Sequence, residues 1–324
     1  MSKITLSAAL KSGKGSVRMN NEDAYYINGS FAELKDMDQE TSLHNTYHDD
    51  TALFAICDGM GGYENGEMAS YTAVSRMEKL QQRLLLNDFS AAVTQWVEET
   101  NSAINKAARD GGSTLALLFI NSEKIHIAHI GDSRIYRYHQ GKLTRMTKDH
   151  SKLQVLLDAG LITEKEAETY PQKHVITRAL GMNEEENGKC MPTIQEPVLA
   201  EDRDRYIICS DGVTDMLSDD QIESLLSQSK AALDCADTIY QAALNAGGKD
   251  NTSVIVIEIE CSAQELSNNA EKKDPFESTW TPEQEASGPI SIEQLITIKQ
   301  ANGQKVTIKT HISGSQLNGL FPLN

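Results

Sequence analysis

The chain has 324 residues and a formal net charge of −17 at pH 7. No Lys/Arg-rich run is present, which argues against partners that are bound through basic patches, namely nucleic acid and anionic membrane surfaces. With 39% hydrophobic and 24% charged residues, the composition is typical of a globular protein, and the length suits one large domain with an appendage.

Strand-like and helix-like segments alternate along the first 260 residues. Seven segments are typical of strands: ITLSAAL (4–10), TALFAIC (51–57), STLALLFI (113–120), IHIAHI (125–130), IYRYH (135–139), RYIIC (205–209) and TSVIVIEIE (252–260). Helical periodicity is clearest over 67–86, 89–108 and 221–245, and Ser218 is a candidate N-cap for the last. Because several strands follow one another across short turns, the pattern predicts an α+β fold of antiparallel sheets covered by helices.

The second half of the chain predicts a surface subdomain, a linker and a tail. Residues 149–181 are polar and helix-like, and 182–204 read as loop with an acidic turn at Glu184-Glu185-Glu186. A globular domain is expected over 1–261, with a flap subdomain at about 149–200. Residues 262–289 are rich in Ser, Asn, Glu, Lys and Pro, which predicts a flexible linker.

The tail, residues 290–324, contains a hairpin signal. In LITIKQANGQKVTIK, two alternating runs flank Asn302-Gly303, and both of these residues favour a left-handed backbone. An isolated hairpin is marginal in water, so it should pack on the domain, on a copy of itself or on a partner. A passive extension without function is the alternative.

The cysteines and the N-terminus predict a cytoplasmic protein. The five cysteines are odd in number and form no C-x-x-C pair, which disfavours both a disulfide framework and a zinc site. Cys57 and Cys209 end apolar runs and should be buried. The first residues lack the apolar stretch of a signal peptide, and no run approaches the ~18 apolar residues of a membrane span.

Acidic residues recur at the ends of the predicted strands. Asp58, Asp132 and Asp211 each follow an apolar run, and Asp250 precedes one. A single Asp-Gly is usually only a turn. If the sheets bring the four together, their charges would repel and raise each other's pKa unless cations neutralised them. The sequence therefore predicts a metal site.

The ligand types favour a hard cation and phosphate chemistry. Oxygen ligands without His or Cys suit Mg²⁺ or Mn²⁺, and two such ions about 3.5–4 Å apart can activate a shared water for attack on phosphorus. Arg18, four residues before Glu22, is a candidate for holding phosphate oxygens.

Two other chemistries are disfavoured. The histidines lack a Gly-x-Ser-x-Gly or similar nucleophile motif, and packing explains His126 and His129, which lie in or beside a strand. Gly59-Met60-Gly61-Gly62 lacks the lysine and following Ser/Thr of a nucleotide-binding loop.

These residues resemble a known family, the metal-dependent serine/threonine protein phosphatases of type 2C in their bacterial form. Eight motifs carry the resemblance in order over about residues 3–260: GSVRMNNEDAYY (15–26), FAICDGMGGYENGEMAS (54–70), GGSTLALLFI (111–120), IAHIGDSRIYRY (127–138), LTRMTKDHS (143–151), VITRALG (175–181), IICSDGVTDMLSDDQI (207–222) and GGKDNTSVIVI (247–257). The resemblance implies a four-layer α-β-β-α sandwich of two antiparallel sheets with a dimetal cleft at one end.

The resemblance also implies a role for each site residue. Phosphoserine or phosphothreonine in a protein would be hydrolysed by a hydroxide that bridges two Mn²⁺ or Mg²⁺ ions, reversing a cognate bacterial Ser/Thr kinase. The implied metal ligands are Asp58, which bridges both ions, Asp211, Asp250, Glu22 and the Gly59 carbonyl, with Asp132 and Asp211 as a pair for a third ion, which Asp215 assists. Asp23 would orient a metal-bound water, and Arg18 would hold the substrate phosphate.

The sequence departs from the family pattern at two positions near the site. Met60 replaces the histidine that eukaryotic members are thought to use as general acid, which leaves the proton donor open, with a metal-bound water as one candidate. Tyr63 replaces a histidine common in bacterial members. Residues 29–50 and those after about 262 lie outside the resemblance. A non-catalytic scaffold on the same fold is the competing hypothesis, but such proteins usually lose metal carboxylates and here all are present.

Overall fold

The structure is a computed structural model, in which the described residues are 3–61, 65–167, 170, 172, 175–183, 190–228, 231–262, 292–299 and 305–312. The chain divides into two compact units, Met1–Leu266 and Ser267–Asn324. Among the described helices, none has both the length and the apolar character needed to cross a membrane.

The strands and helices of the described residues are as follows. The strands are β1 (Lys3–Gly13), β2 (Asp23–Ile27), β3 (Thr41–Tyr47), β4 (Thr51–Met60), β5 (Gly112–Ser113), β6 (Leu115–Asn121), β7 (Lys124–Ile130), β8 (Arg134–His139), β9 (Lys142–Arg145), β10 (Thr193–Ile194), β11 (Val198–Leu199), β12 (Arg205–Cys209), β13 (Thr252–Ser262), β14 (Ile292–Lys299) and β15 (Lys305–Ile312). The helices are α1 (Asn65–Val74), α2 (Met77–Leu84), α3 (Phe89–Ala107), α4 (Lys152–Asp158), α5 (Glu164–Ala167), α6 (Asp211–Thr214), α7 (Asp219–Gln228) and α8 (Ala232–Asn245).

Two antiparallel sheets form the centre of the first unit. The first sheet has the strand order β3-β1-β13-β12-β8-β9. The second has the order β10-β7-β6-β4-β2, with β11 paired to β7 and β5 paired to β4. Every strand pair is antiparallel, as the short turns in the sequence predict.

Three apolar clusters separate four layers. One cluster joins α1–α3 to the second sheet and includes the fully buried Trp96. A second lies between the two sheets and includes Phe54 and Ile255. The third joins α6–α8 to the first sheet and includes Ile239. The predicted α-β-β-α sandwich is therefore confirmed.

The central strands are buried on both faces, which explains their nearly continuous apolar sequences. Side chains alternate across a strand. In β13, Val254 and Val256 pack under the helices, whereas Ile255 and Ile257 pack between the sheets. Cys57 of β4 and Cys209 of β12 are completely buried, as predicted, and none of the five cysteines, all of which are described, forms a disulfide.

Two predicted helices are each split in the structure. The segment 67–86 forms α1 and α2, separated by a turn at Ser75 and Arg76, where Trp96 Nε1 donates to the Arg76 carbonyl at 3.0 Å. Both helices pack on the same sheet, so the apolar periodicity continues through the break and does not reveal it.

The segment 221–245 likewise forms α7 and α8, with Ala231 in an extended conformation before α8. The predicted cap at Ser218 is confirmed. Its hydroxyl accepts a hydrogen bond from Gln221 N, and Gln221 Oε1 accepts one from Ser218 N at 2.8 Å, which makes a capping box.

The strand β3 is not predicted by the hydrophobic pattern. It lies in the 29–50 region outside the family resemblance and pairs with β1 at the edge of the first sheet. Most of its side chains are exposed, so its sequence lacks the apolar alternation that indicates a half-buried strand.

Among the described residues, the flap region contains only short helices and strands, and the tail contains one pair of strands. In the flap region these are α4, α5, β10 and β11, and the Glu184-Glu185-Glu186 turn lies outside the described residues. In the second unit, β14 pairs with β15 in a register that places Lys299 opposite Lys305. The Asn302-Gly303 turn and the linker 263–289 lie outside the described residues. The domain boundaries and the flap assignment stay predictions.

We expect the first unit to fold without the second. Removal of residues 267–324 should change the Tm by less than about 3 °C, or about 1 kcal/mol, because the three apolar clusters use residues between Ile4 and Cys261. Thermal unfolding of the full chain and of the truncated chain, followed by circular dichroism, measures this. Loss of the cooperative transition in the truncated chain would contradict it.

Candidate active site

A cavity of about 980 Å³ opens where several strands of the two sheets end. Five of its lining residues are carboxylates: Glu22, Asp58, Asp211, Asp215 and Asp250. Glu22 directly precedes β2, Asp58 lies near the end of β4, Asp211 follows β12 at the start of α6, and Asp250 lies two residues before β13. Three of the four acidic strand ends predicted to meet, Asp58, Asp211 and Asp250, therefore line this cavity, and the fourth, Asp132, does not.

The four remaining predicted residues fall into two pairs. Arg18 and Gly59 line the same cavity, whereas Asp23 and Asp132 do not appear in its lining. Within the described ranges, no group of three or more His, Cys, Asp or Glu side chains is assembled to hold a metal ion as it stands. Asp132 and Asp23 are nevertheless close enough to act electrostatically on Asp58 and Asp211.

The carboxyl groups of Asp58 and Asp211 are strongly perturbed. Burial raises the pKa of Asp58 well above its ordinary value, and the negative charges of Asp23 and Asp211 raise it further. For Asp211 the pKa is raised by burial and then by the charges of Asp132 and Asp250. Like charges in a poorly solvated space have this effect, and a bound cation would reverse it.

Asp23 lies behind this group and is fully buried. Its pKa is raised to about 7, mainly by burial, although the Ser210 hydroxyl donates to Asp23 Oδ2 at 2.7 Å and stabilises the charged form. Among the described residues, Asp23 Oδ1 has no hydrogen-bond partner. Strand pairing places Asp23 directly opposite Asp58. A proton or a cation at Asp23 would satisfy its free oxygen.

Asp132 follows the glycine turn at the end of β7. Its pKa is raised to about 6 by burial and by the charge of Asp149. His150 fixes the turn through two hydrogen bonds. Its ring Nδ1 accepts one from Gly131 N at 3.0 Å, and its backbone N–H donates the other to the Gly131 carbonyl at 2.9 Å. His150 therefore joins the flap region to the loop that carries Asp132.

Arg18 forms an ion pair with one of the cavity carboxylates. Its Nη2 lies 2.7 Å from Asp250 Oδ2, and this hydrogen bond is the main cause that raises the pKa of Arg18. The side chain is 50% exposed at the mouth of the cavity. Arg18 thus places a cationic fork beside the carboxylates, where a phosphate could accept its N–H groups.

Asn251 organises the site, and the sequence reasoning did not identify it. Its buried Oδ1 accepts from Glu22 N at 2.9 Å, and its Nδ2 donates to the carbonyls of Lys14 and Asn20 at 3.2 and 2.8 Å. One amide therefore fastens the loop that carries Arg18 and Glu22 to the start of β13. Its position directly after Asp250, before an apolar strand, was the available signal.

Gly59 is required because the backbone is crowded around it. A Cβ atom at this position would overlap the Gly66 carbonyl oxygen and lie 2.6 Å from the Glu22 carbonyl oxygen. Gly59 N donates to the Glu22 carbonyl at 3.0 Å, and the Ser70 hydroxyl donates to the same carbonyl at 2.6 Å. These contacts bring β4, α1 and Glu22 together.

The histidines near the site have structural partners. His126 packs against Phe89 with ring centroids 4.9 Å apart and the rings tilted by 35°, and burial lowers the pKa of His126. His129 Nε2 lies 2.8 Å from the Lys148 carbonyl, and its ring stacks on His150 at 4.6 Å. In the described part of the chain, the cavity lining contains no histidine. This agrees with the prediction that packing explains His126 and His129.

Comparison with known proteins identifies similar sequences. Residues 18–154 match the family model described as protein phosphatase 2C. The serine/threonine protein phosphatase PstP of Mycobacterium tuberculosis is 34% identical over 264 residues, which are 79% of this chain and 45% of PstP. This chain therefore spans less than half of that relative. Protein phosphatase PhpP of Streptococcus pneumoniae is 30% identical over 260 residues, which are 78% of this chain and 97% of PhpP.

Solved structures show the same similarity. The crystal structure of the M. tuberculosis serine/threonine phosphatase PstP/Ppp matches with a TM-score of 0.65 and 32% identity over 79% of this chain and 99% of that one. The PstP catalytic domain in complex with two manganese ions matches with a TM-score of 0.63 and 31% identity over 79% of this chain and 99% of that one.

We expect the Asn251→Ala variant to lose about 2–3 kcal/mol of unfolding free energy, because three part-buried backbone groups lose their partner. Urea unfolding measures the loss. Asn45→Ala, at an exposed position on the edge strand, is the control and should change stability by less than about 0.5 kcal/mol. Equal effects for the two variants would contradict the anchoring role of Asn251.

We also expect the stabilisation by Mn²⁺ to depend on pH. The raised pKa of Asp23, about 7 against an ordinary value of about 3.9, favours the folded state below pH ~4, and this contribution is lost as pH rises through 7. Asp58 and Asp211 act in the same direction. Cations replace the lost protons, so the rise in Tm on adding Mn²⁺ should be larger at pH 7.5 than at pH 5.5. An equal rise at both pH values, measured against chelator, would contradict this.

Proposed function

Because this chain belongs to the protein phosphatase 2C family, we propose that it is a metal-dependent phosphatase that removes phosphate from serine and threonine side chains of proteins. The observation that carries the proposal is the group of half-buried carboxylates that line one open cavity beside Arg18. The eight ordered sequence motifs contribute most of this site.

The donors present fit hard divalent cations. They are oxygen atoms of carboxylates and of the Gly59 carbonyl, which Mg²⁺ and Mn²⁺ prefer. The free Oδ1 of buried Asp23 and the raised pKa values of Asp58 and Asp211 support the same assignment, because both indicate uncompensated negative charge. Mn²⁺ is supported by the manganese complex of the PstP catalytic domain. We leave Mg²⁺ as the alternative.

We assign the metal ligands by the family motifs. Asp58, Asp211, Asp250, Glu22 and the Gly59 carbonyl would hold two ions, and Asp132 with Asp211 would hold a third. When bound, such ions supply positive charge to phosphoryl oxygens and lower the pKa of water, so that a hydroxide nucleophile is available at neutral pH.

The protein groups around the ions would position the substrate and hold a proton. Arg18 would bind non-bridging phosphate oxygens, exchanging part of its contact with Asp250 for the substrate. In the ion-free protein Asp23, whose pKa is raised to about 7 and whose orientation Ser210 fixes, holds a proton below neutral pH that bound cations would displace. Asn251 and Gly59 hold Glu22 in place.

The leaving serine or threonine oxygen needs a proton from another source than residue 60. Met60 lines the cavity, but a thioether has no proton to donate. The described cavity lining contains no histidine that could replace it. A solvent-derived proton is therefore the assignment that fits these residues.

The natural partners of such an enzyme are phosphorylated proteins and the kinase that phosphorylates them. We include a bacterial Ser/Thr kinase in the proposal because reversal of phosphorylation requires one. A cytoplasmic location stays a prediction, drawn from the absence of disulfides among the five cysteines.

Asp211→Asn should lower the hydrolysis of a phosphothreonine peptide by at least about a hundredfold, because it removes a metal ligand while keeping the shape of the side chain. The variant should remain folded, since it also removes a buried repulsive charge. Phosphate release is measured with Mn²⁺, with Mg²⁺ and with chelator.

The matched control is Asp237→Asn, which neutralises a half-exposed aspartate paired with Lys11, and neither of these residues lines the cavity. It should keep wild-type turnover. Near-normal activity of Asp211→Asn would overturn the site assignment. Absence of metal-dependent release by the folded wild-type protein would favour the scaffold hypothesis.

A further inference from the structure

Two loops form one side of the cavity mouth, and they are tied to each other. Ser16 N donates to the Gly248 carbonyl at 2.7 Å, and Arg18 pairs with Asp250 at 2.7 Å. Lys249 lies between these two anchored positions and lines the cavity. The backbone that carries Lys249 is therefore held on both sides.

The Lys249 side chain lies beside Met216. A Cβ atom built on Gly247 would be 3.6 Å from Met216 Sδ and 3.8 Å from Lys249 Cε, so the two side chains flank the same small residue. Both belong to the cavity lining. The lysine stem thus follows the wall of the cavity, and its charged end remains exposed.

Lys249 differs from Arg18 in its electrostatic state. Arg18 is engaged by Asp250, whereas Lys249 forms no ion pair within the described ranges. These two residues are the cations of the described cavity lining. The whole chain carries a net charge of −17, so an acidic substrate is repelled in general and needs a local cation to be accepted.

The loop that carries Arg18 also supplies apolar contact area at the mouth. Val17 is 64% exposed and Met19 is 86% exposed, and both line the cavity on either side of Arg18. A flexible methionine at a binding surface adapts to peptide side chains of different shape. These residues suit an extended peptide segment better than an isolated phosphate ion.

We propose that Lys249 selects phosphopeptides with an anionic group next to the phosphorylated residue. The proposal rests on the proposed phosphatase function. Arg18 would hold the phosphate to be removed, while Lys249 pairs with the flanking group, which is either an Asp or Glu carboxylate or a second phosphate. The lysine acts as a specificity residue at the rim and takes no part in the chemical step.

The test compares peptides with a central phosphothreonine and with Ala, Asp or phosphoserine at the positions on either side. Loss of the threonine-bound phosphate is followed by mass spectrometry, with the full chain and Mn²⁺ at low ionic strength. Exposed ion pairs contribute modestly, so the kcat/KM for Asp peptides should exceed that for Ala peptides by about two- to fivefold. This difference between Asp and Ala peptides should lie in KM and not in kcat, and added salt should reduce it.

Two variants of Lys249 test whether this residue causes the preference for anionic peptides. Lys249→Ala should bring the Asp-to-Ala ratio of kcat/KM to about one, and Lys249→Glu should invert it. The control is Lys106→Glu, an exposed lysine in the last turn of α3, which changes the net charge by the same amount and should retain the wild-type ratio. A preference for phosphoserine over Asp would identify the flanking anion as phosphate.

Failure of the Lys249 proposal and failure of the phosphatase proposal would give different results. Hydrolysis of all peptides without charge preference, or a preference that Lys249→Glu retains, would overturn the role of Lys249 and leave the phosphatase function standing. A change of ratio in Lys106→Glu equal to that in Lys249→Glu would show an effect of net charge and would also overturn it. Absence of Mn²⁺-dependent hydrolysis of every peptide would overturn the phosphatase function, and this inference with it.

Discussion

Repulsion among half-buried carboxylates is the constraint on which the site depends. Asp58 lies near the end of β4 and Asp211 just after β12, in different sheets, and the charge of Asp211 adds to burial in raising the pKa of Asp58. Folding alone brings them together, because the strands that carry them are held by three apolar clusters. The free energy of apolar burial is therefore used in part to hold like charges near one another, which is the condition for strong cation binding.

Neutral side chains form hydrogen bonds with Asp23, Asp58 and Glu22. Ser210 donates to Asp23, Thr114 Oγ1 accepts from Asp58 N, and Asn251 accepts from Glu22 N. Hydroxyl and amide groups fix orientation without cancelling charge. The cationic Arg18 is placed at the exposed mouth instead, where a substrate phosphate can reach it. The negative side chains of the carboxylates therefore lie inside the cavity, and the positive side chain of Arg18 lies at its mouth.

Most of the fold could be predicted from the sequence, and part of the site could not. Apolar runs predict the central strands, and the family motifs predict the cavity residues Arg18, Glu22, Asp58, Asp211 and Asp250. The breaks between α1 and α2 and between α7 and α8 escape prediction, because helices that pack on one layer keep a single apolar period through a turn. The anchoring role of Asn251 escapes it too, because its partners are backbone groups distant in sequence.

Because β13 comes last among the strands of the first unit, this unit cannot fold completely before β13 has been synthesised. This strand pairs with β1 over residues Lys3 to Gly13 and with β12, yet it is the last strand of the first unit in the chain. β1 can pair with β3 early, but its pairing with β13 must wait until about residue 262 has emerged, with a long loop to close. Glu22 and Asp250 meet only at that moment, so a nascent chain completes the group of cavity carboxylates only when its first unit is whole.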